Sequence, residues 1–103
     1  DQFVNLDVVT TVEALQKKGE TIRVAGVRQT VQRFHTSGEE AFYILELEDL
    51  VGVLKVHLTP EQRRQHQSVL YSHEPILIEG EVDFTHNSGE PMLRLKRMWG
   101  ANL

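Results

Sequence analysis

The chain predicts a mainly β fold: a small closed Greek-key barrel of five strands, with a helix between strands three and four and a short helix in front. Three observations carry this expectation. The segments "FYILELE" and "VLKVHL" alternate with period two on either side of a tight turn at "EDLVG". A helix start, "TPEQ", follows at once. Single glycines interrupt "TIRVAGVRQTVQRF" and "ILIEGEVDF", as they do in strands that bulge or bend sharply.

In chain order, "TTVEALQKKG" predicts a short helix over 11–18 that acts as a lid. Thr10 or Thr11 can cap it, Glu13 completes a capping box with Thr10, and Gly19 can stop it. In the first strand Ile22 and Val24 share a face with Arg23 opposite. The phase slips after Gly26, so the facing of Arg28, Gln29 and Arg33 stays open. "HTSGEE" (35–40) is a polar loop with Gly38 available for positive φ.

The second strand sets Tyr43, Leu45 and Leu47 against Phe42, Ile44, Glu46 and Glu48 on the other face. The third points Leu54, Val56 and Leu58 inward and Val53, Lys55 and His57 outward. Thr59, Pro60 and Gln62 open a helix that Pro75 ends, with Val69 and Leu70 as its apolar anchors. A last hairpin turns at "HNSGE" (86–90), with Ile76, Ile78, Val82, Leu93 and Leu95 inward. Residues 1–20 form an N-terminal extension and 21–100 the barrel. A gently curved open sheet is the structural alternative.

The strand order, the glycine bends and the stoppering helix describe an OB-fold, whose outer face typically binds oligonucleotides. The composition, 40% hydrophobic and 25% charged, is ordinary for a soluble globular protein of 103 residues. Eleven basic against fifteen acidic residues leave a net charge of −4, so a polyanion must be met by a local patch and bound weakly. No apolar run approaches the ~20 residues that cross a bilayer, and no membrane partner is expected. The absence of cysteine fits a reducing cytoplasm. The start at Asp1 carries neither a signal-peptide layout nor an initiator Met, which suggests a piece of a longer polypeptide.

"IRVAGVRQTVQR", "FYILELEDLVGVLKVHLTPEQ" and "ILIEGEVDF" resemble the OB domain of the alpha subunit of bacterial DNA polymerase III, over roughly residues 8–98. The matching positions are Val24-Ala25-Gly26, Leu47-Glu48-Asp49, Gly52, Pro60-Glu61 and Gly80-Glu81-Val82, and the short leading helix resembles the one before that domain. These motifs are short and shared with other OB-folds, anticodon-binding domains among them. The resemblance implies a non-catalytic module of a replicative polymerase that contacts single-stranded template DNA with little sequence preference. Its other partners would be domains or subunits of that polymerase. The chain departs from the family at Glu39 and Glu40, in a loop often basic there, and at Thr59, where Phe is common.

Single-strand binders pair basic grooves with exposed aromatic rings on which bases stack. The candidate nucleic-acid-binding residues are Arg28, Arg33, Phe42, Lys55, His57, Arg94, Lys96 and Arg97. Phe42 is the stacking platform, unless it packs beneath the loop at Ser37 and Gly38. Arg94 and Lys96 share a strand face and either bracket a phosphate or pair with Glu79, Glu81 or Asp83 on the adjacent strand. Arg63 and Arg64 read as solvated helix charges, and Trp99 as a cover for the barrel end. The histidines lack metal-ligand spacing, and no nucleophile–base pair or phosphate-cradling loop is visible, so neither a cofactor nor catalysis is expected. A protein-docking barrel, suggested by the acidic balance, is the alternative reading.

Overall fold

The computed structural model describes residues 8–35, 41–84 and 91–100, so the turns at "HTSGEE" and "HNSGE", with Ser37, Gly38, Glu39 and Glu40, lie outside the described residues apart from His35. The elements are β1 (Val8–Val9), α1 (Thr11–Ala14), β2 (Thr21–Phe34), β3 (Phe42–Glu48), β4 (Val53–Leu58), α2 (Pro60–Gln65), α3 (Gln67–Leu70), β5 (Ile76–Phe84) and β6 (Pro91–Gly100).

Strand β2 is long enough to serve two neighbours. Residues 21–26 pair antiparallel with β5 and residues 27–34 with β3. β3 then pairs with β4, β4 runs parallel to β6 through Val56–Leu93 and His57–Arg94, and β6 pairs with β5. The circuit from β2 through β3, β4, β6 and β5 returns to β2. A five-stranded Greek-key barrel with its helix between the third and fourth barrel strands is the OB-fold. β1, two residues with no period to read, adds a parallel strand beside Arg23 and Val24.

Two glycines stand where strands approach too closely for a side chain. At Gly26, where β2 passes from β5 to β3, a Cβ would lie 2.5 Å from the Glu48 carbonyl oxygen. At Gly80 a Cβ would press on the Arg94 carbonyl oxygen and lie 2.9 Å from Leu93 Cγ. The bulge in β2 falls at Gln29 rather than at Gly26, because Arg28 pairs with Leu47 and Thr30 with Glu46. A second bulge leaves Lys96 unpaired in the ladder between Leu95 and Arg97. Each bulge shifts the strand's facing by one residue and tightens its twist.

The inward residues behave as the alternation predicts: Leu45, Leu47, Leu54, Val56, Leu58, Ile76, Ile78, Val82 and Leu93 are fully buried. Burial of each such side chain is worth about 1.5–3 kcal/mol. Leu70 from α3 and Ala14 from α1 close the same core. Both capping boxes form, at Thr10 with Glu13 and at Thr59 with Gln62. The Gln62 side-chain amide also donates to the Leu95 carbonyl at 2.8 Å, tying α2 to β6.

The helices are shorter than the sequence predicts. After Ala14 the bonds of α1 become i to i−3, from Leu15, Gln16 and Lys17, and the tight turn runs on to Gly19 at φ +81. The second helix divides at His66, whose φ of −107 leaves the helical region before α3 carries Leu70 inward. The carboxylate of Asp49 holds the lid. It accepts from the Thr11 amide and hydroxyl, both at 2.8 Å, and from the Val51 and Gly52 amides at 3.0 Å.

Candidate nucleic-acid interface

Alternation across β2, β3, β4 and β6 places one set of side chains outside the barrel wall. Gln32, Phe34, Phe42, Ile44, Lys55 and Met92, with Thr30 and Glu46, line a groove of 280 Å³ on that face. Small-molecule sites generally occupy about 300–1,000 Å³. This groove is therefore small for a cofactor and suited to a planar ring on an extended chain.

Three rings form a ladder across it. Phe34 stacks on Phe42 with centroids 5.7 Å apart and planes inclined by 19°, and Phe42 stacks on His57 at 5.1 Å and 20°. Phe34 remains 42% exposed at the open end, which leaves a π-face for a further ring. Burial pushes the His57 imidazole below its ordinary pKa, and the neighbouring Arg94 guanidinium pushes in the same direction. His57 therefore joins the ladder as a neutral ring at pH 7.

The cations of the face are Lys55 and Arg94. Arg94 stands in register with His57 and reaches Asp83 across the hairpin at 3.7 Å, with both side chains well exposed. An exposed pair of this kind contributes about 0–1 kcal/mol, so a phosphate can take the guanidinium from Asp83. Lys55 lies opposite Glu46, whose carboxylate accepts the Thr30 hydroxyl at 2.5 Å. The groove is thus mixed in charge, with Glu46 inside it.

Of the residues proposed from the sequence, Phe42, Lys55, His57 and Arg94 come together here. The other four lie elsewhere. Arg28 pairs with Leu47, on the inward parity, and stacks on Tyr71 at 5.3 Å. Arg33 is exposed on the face that carries Tyr43, opposite to Phe34 and Phe42, and Tyr43 is itself covered by Arg63 at 4.9 Å. Arg63 is thus a packed helix charge rather than a solvated one. Lys96 donates to the Thr21 hydroxyl at 3.1 Å, over the β5 side of the barrel. Arg97 approaches Glu79 at 3.9 Å. Arg94 and Lys96 both lie on the exposed side of β6, as the alternation predicts, but they bond in different directions, to Asp83 and to Thr21.

Phe34, Thr30, Gln32 and Met92 were not singled out by the sequence. The signal for Phe34 was its two-residue spacing from Gln32 at the strand end, hidden by the unrecognised bulge at Gln29. Trp99 lies on the outer wall rather than over the barrel end. It is paired with Leu77 and stacked by Arg23 at 5.4 Å.

No protein-family model matches this chain, and no curated protein matches it in sequence. Its likeness is to solved structures. Asparaginyl-tRNA synthetase from Pyrococcus horikoshii aligns over 94% of this chain at a TM-score of 0.66 and 14% identity, and the chain spans 23% of that enzyme. The OBody AM1L10, solved bound to hen egg-white lysozyme, aligns over 93% of this chain and 94% of its own at 0.67 and 18% identity. The hypothetical protein ygiW from E. coli aligns over 94% and 92% at 0.67 and 17%. Identities this low establish the OB-fold and nothing narrower.

Proposed function

We propose that this barrel binds single-stranded nucleic acid along the β2–β3–β4–β6 face, as a non-catalytic module of a cytoplasmic bacterial replicative DNA polymerase that contacts template DNA. The ring ladder of Phe34, Phe42 and His57 carries the binding reading, because stacked exposed rings beside Lys55 and Arg94 suit an extended strand. The resemblance of "IRVAGVRQTVQR" and "FYILELEDLVG" to the polymerase III alpha subunit carries the narrower assignment. Along most of the strand recognition is by backbone charge and stacking, with little sequence preference.

A labelled thymidine oligomer titrated in about 20 mM salt is expected to bind weakly, with affinity falling as salt rises. Two cations on two phosphates give a logarithmic slope of about −1.4, at about −0.7 per single-strand contact. Phe42→Ala should cost about 1–3 kcal/mol, or about 5- to 150-fold in affinity. Absence of binding at high micromolar protein would overturn the proposal for the domain by itself. A matched RNA oligomer in competition separates template DNA from an RNA ligand.

A second reading is favoured by one observation, the groove's mixed charge, with Glu46 beside Lys55 in its lining. The OBody likeness is to a barrel that binds a protein, and a docked peptide tolerates such a groove better than a polyanion does. That reading predicts oligonucleotide affinity indifferent to Phe42→Ala.

A further inference from the structure

A carboxylate inside a groove that faces a polyanion repels phosphate, so Glu46 requires an account. Thr30 fixes it by donating its hydroxyl to Oε1. Among the described residues Oε2 has no hydrogen-bond partner, and Lys55 stands directly opposite in register. The groove beside this pair is apolar, floored by Phe42, Ile44 and Met92. A base lying flat on that floor turns its hydrogen-bonding edge toward a carboxylate and an ammonium.

The four common bases differ in what that edge offers. Guanine presents two adjacent donors, N1–H and N2–H, beside the acceptor O6. Thymine and uracil present one N–H between two carbonyl oxygens, which a carboxylate opposes. Cytosine and adenine each present one exocyclic donor beside a ring acceptor. Only guanine sets two parallel donors against a carboxylate while offering an acceptor to an ammonium.

We infer that Glu46 and Lys55 form a guanine-reading pair within the groove, Glu46 accepting from N1–H and N2–H and Lys55 donating to O6. The inference rests on the nucleic-acid reading above and adds base selectivity at one position of the bound strand. Its carboxylate is held by Thr30 and needs no rearrangement to accept the base.

The test compares a thymidine oligomer of about ten nucleotides with the same oligomer carrying one central guanine, against wild-type protein and Glu46→Gln. A bidentate base contact gives about 1–3 kcal/mol of discrimination, so the guanine oligomer should bind about tenfold more tightly to wild type. Replacing that guanine by hypoxanthine, which lacks the N2 amino group, should remove most of the gain. Glu46→Gln keeps an acceptor for Thr30, melts as wild type does, binds the all-thymidine oligomer more tightly and loses the guanine preference. Equal wild-type affinity for both oligomers overturns the inference and leaves the nucleic-acid reading standing. A uniform gain in Glu46→Gln with the preference retained also overturns it, since the carboxylate is then only repulsive. Failure to bind either oligomer overturns the underlying reading as well.

Discussion

Replacing Glu79 by alanine is expected to destabilise the barrel by about 3–5 kcal/mol, the range for removing one partner of a buried ion pair. Arg23 and Glu79 face each other across β2 and β5, each only 8% exposed, with Arg23 Nε 3.0 Å from Glu79 Oε1. Trp99 covers the Arg23 guanidinium and Arg97 approaches the other carboxylate oxygen. Without Glu79, Arg23 is a largely desolvated cation that has lost its buried carboxylate partner. A domain of about 100 residues is stable by about 5–15 kcal/mol, so this single change removes a large share. Its thermal midpoint should fall by at least about 10 °C. The pair itself is not the source of that stability. The double replacement Arg23→Met with Glu79→Leu removes both charges and is expected to melt near or above wild type. If Glu79→Ala unfolds within about 1 kcal/mol of wild type, the site is more solvated than its packing indicates.

The second large effect falls on the lid. Asp49→Ala removes the acceptor for the Thr11 amide and hydroxyl, and Thr11 is fully buried. Leaving buried donors unsatisfied costs about 1–3 kcal/mol. Burial opposes ionisation of Asp49, but the hydrogen bonds from Thr11, Val51 and Gly52 together outweigh it and hold the carboxyl below its ordinary 3.8. A folded-state pKa below the unfolded one makes the carboxylate stabilising above the unfolded value. That contribution fades as pH falls through 3.8 toward the lower folded pKa. Wild type should therefore lose its advantage over Asp49→Asn between about pH 5 and the acid limit, as measured by thermal midpoints across that range. A constant difference over the whole range would assign the effect to packing.

Much of the barrel was legible because its signals are local. The period-two runs of β3 and β4 alternate without a slip, and their inward residues are those of the core. The capping residues Thr10 and Thr59 act within a single turn, so they too are readable. What escaped depends on partners distant in sequence. The bulges at Gln29 and Lys96 exist only relative to facing strands, and each reassigns the facing of the residues around it. Phe34 was missed for that reason, and the second bulge is what leaves Arg97 exposed beside Lys96. β1 is too short to carry a period, and its pairing with β2 places the leading segment against the barrel. On the candidate face, unbroken alternation made Phe42, Lys55 and His57 legible. Arg28, Arg33 and Arg97 carry the right charge for a phosphate, but packing sets them on Tyr71, on the reverse of the β2–β3 ribbon and beside Glu79.

The location of the binding face is tested most directly by amide chemical-shift mapping of isotope-labelled protein titrated with a thymidine oligomer at low salt. The proposed interface requires the largest perturbations at Gln32, Phe34, Phe42, Ile44, His57 and Arg94, with Arg28, Lys96 and Arg97 nearly silent. Perturbations centred on Lys96 and Arg97, or spread evenly over the basic side chains, would contradict it.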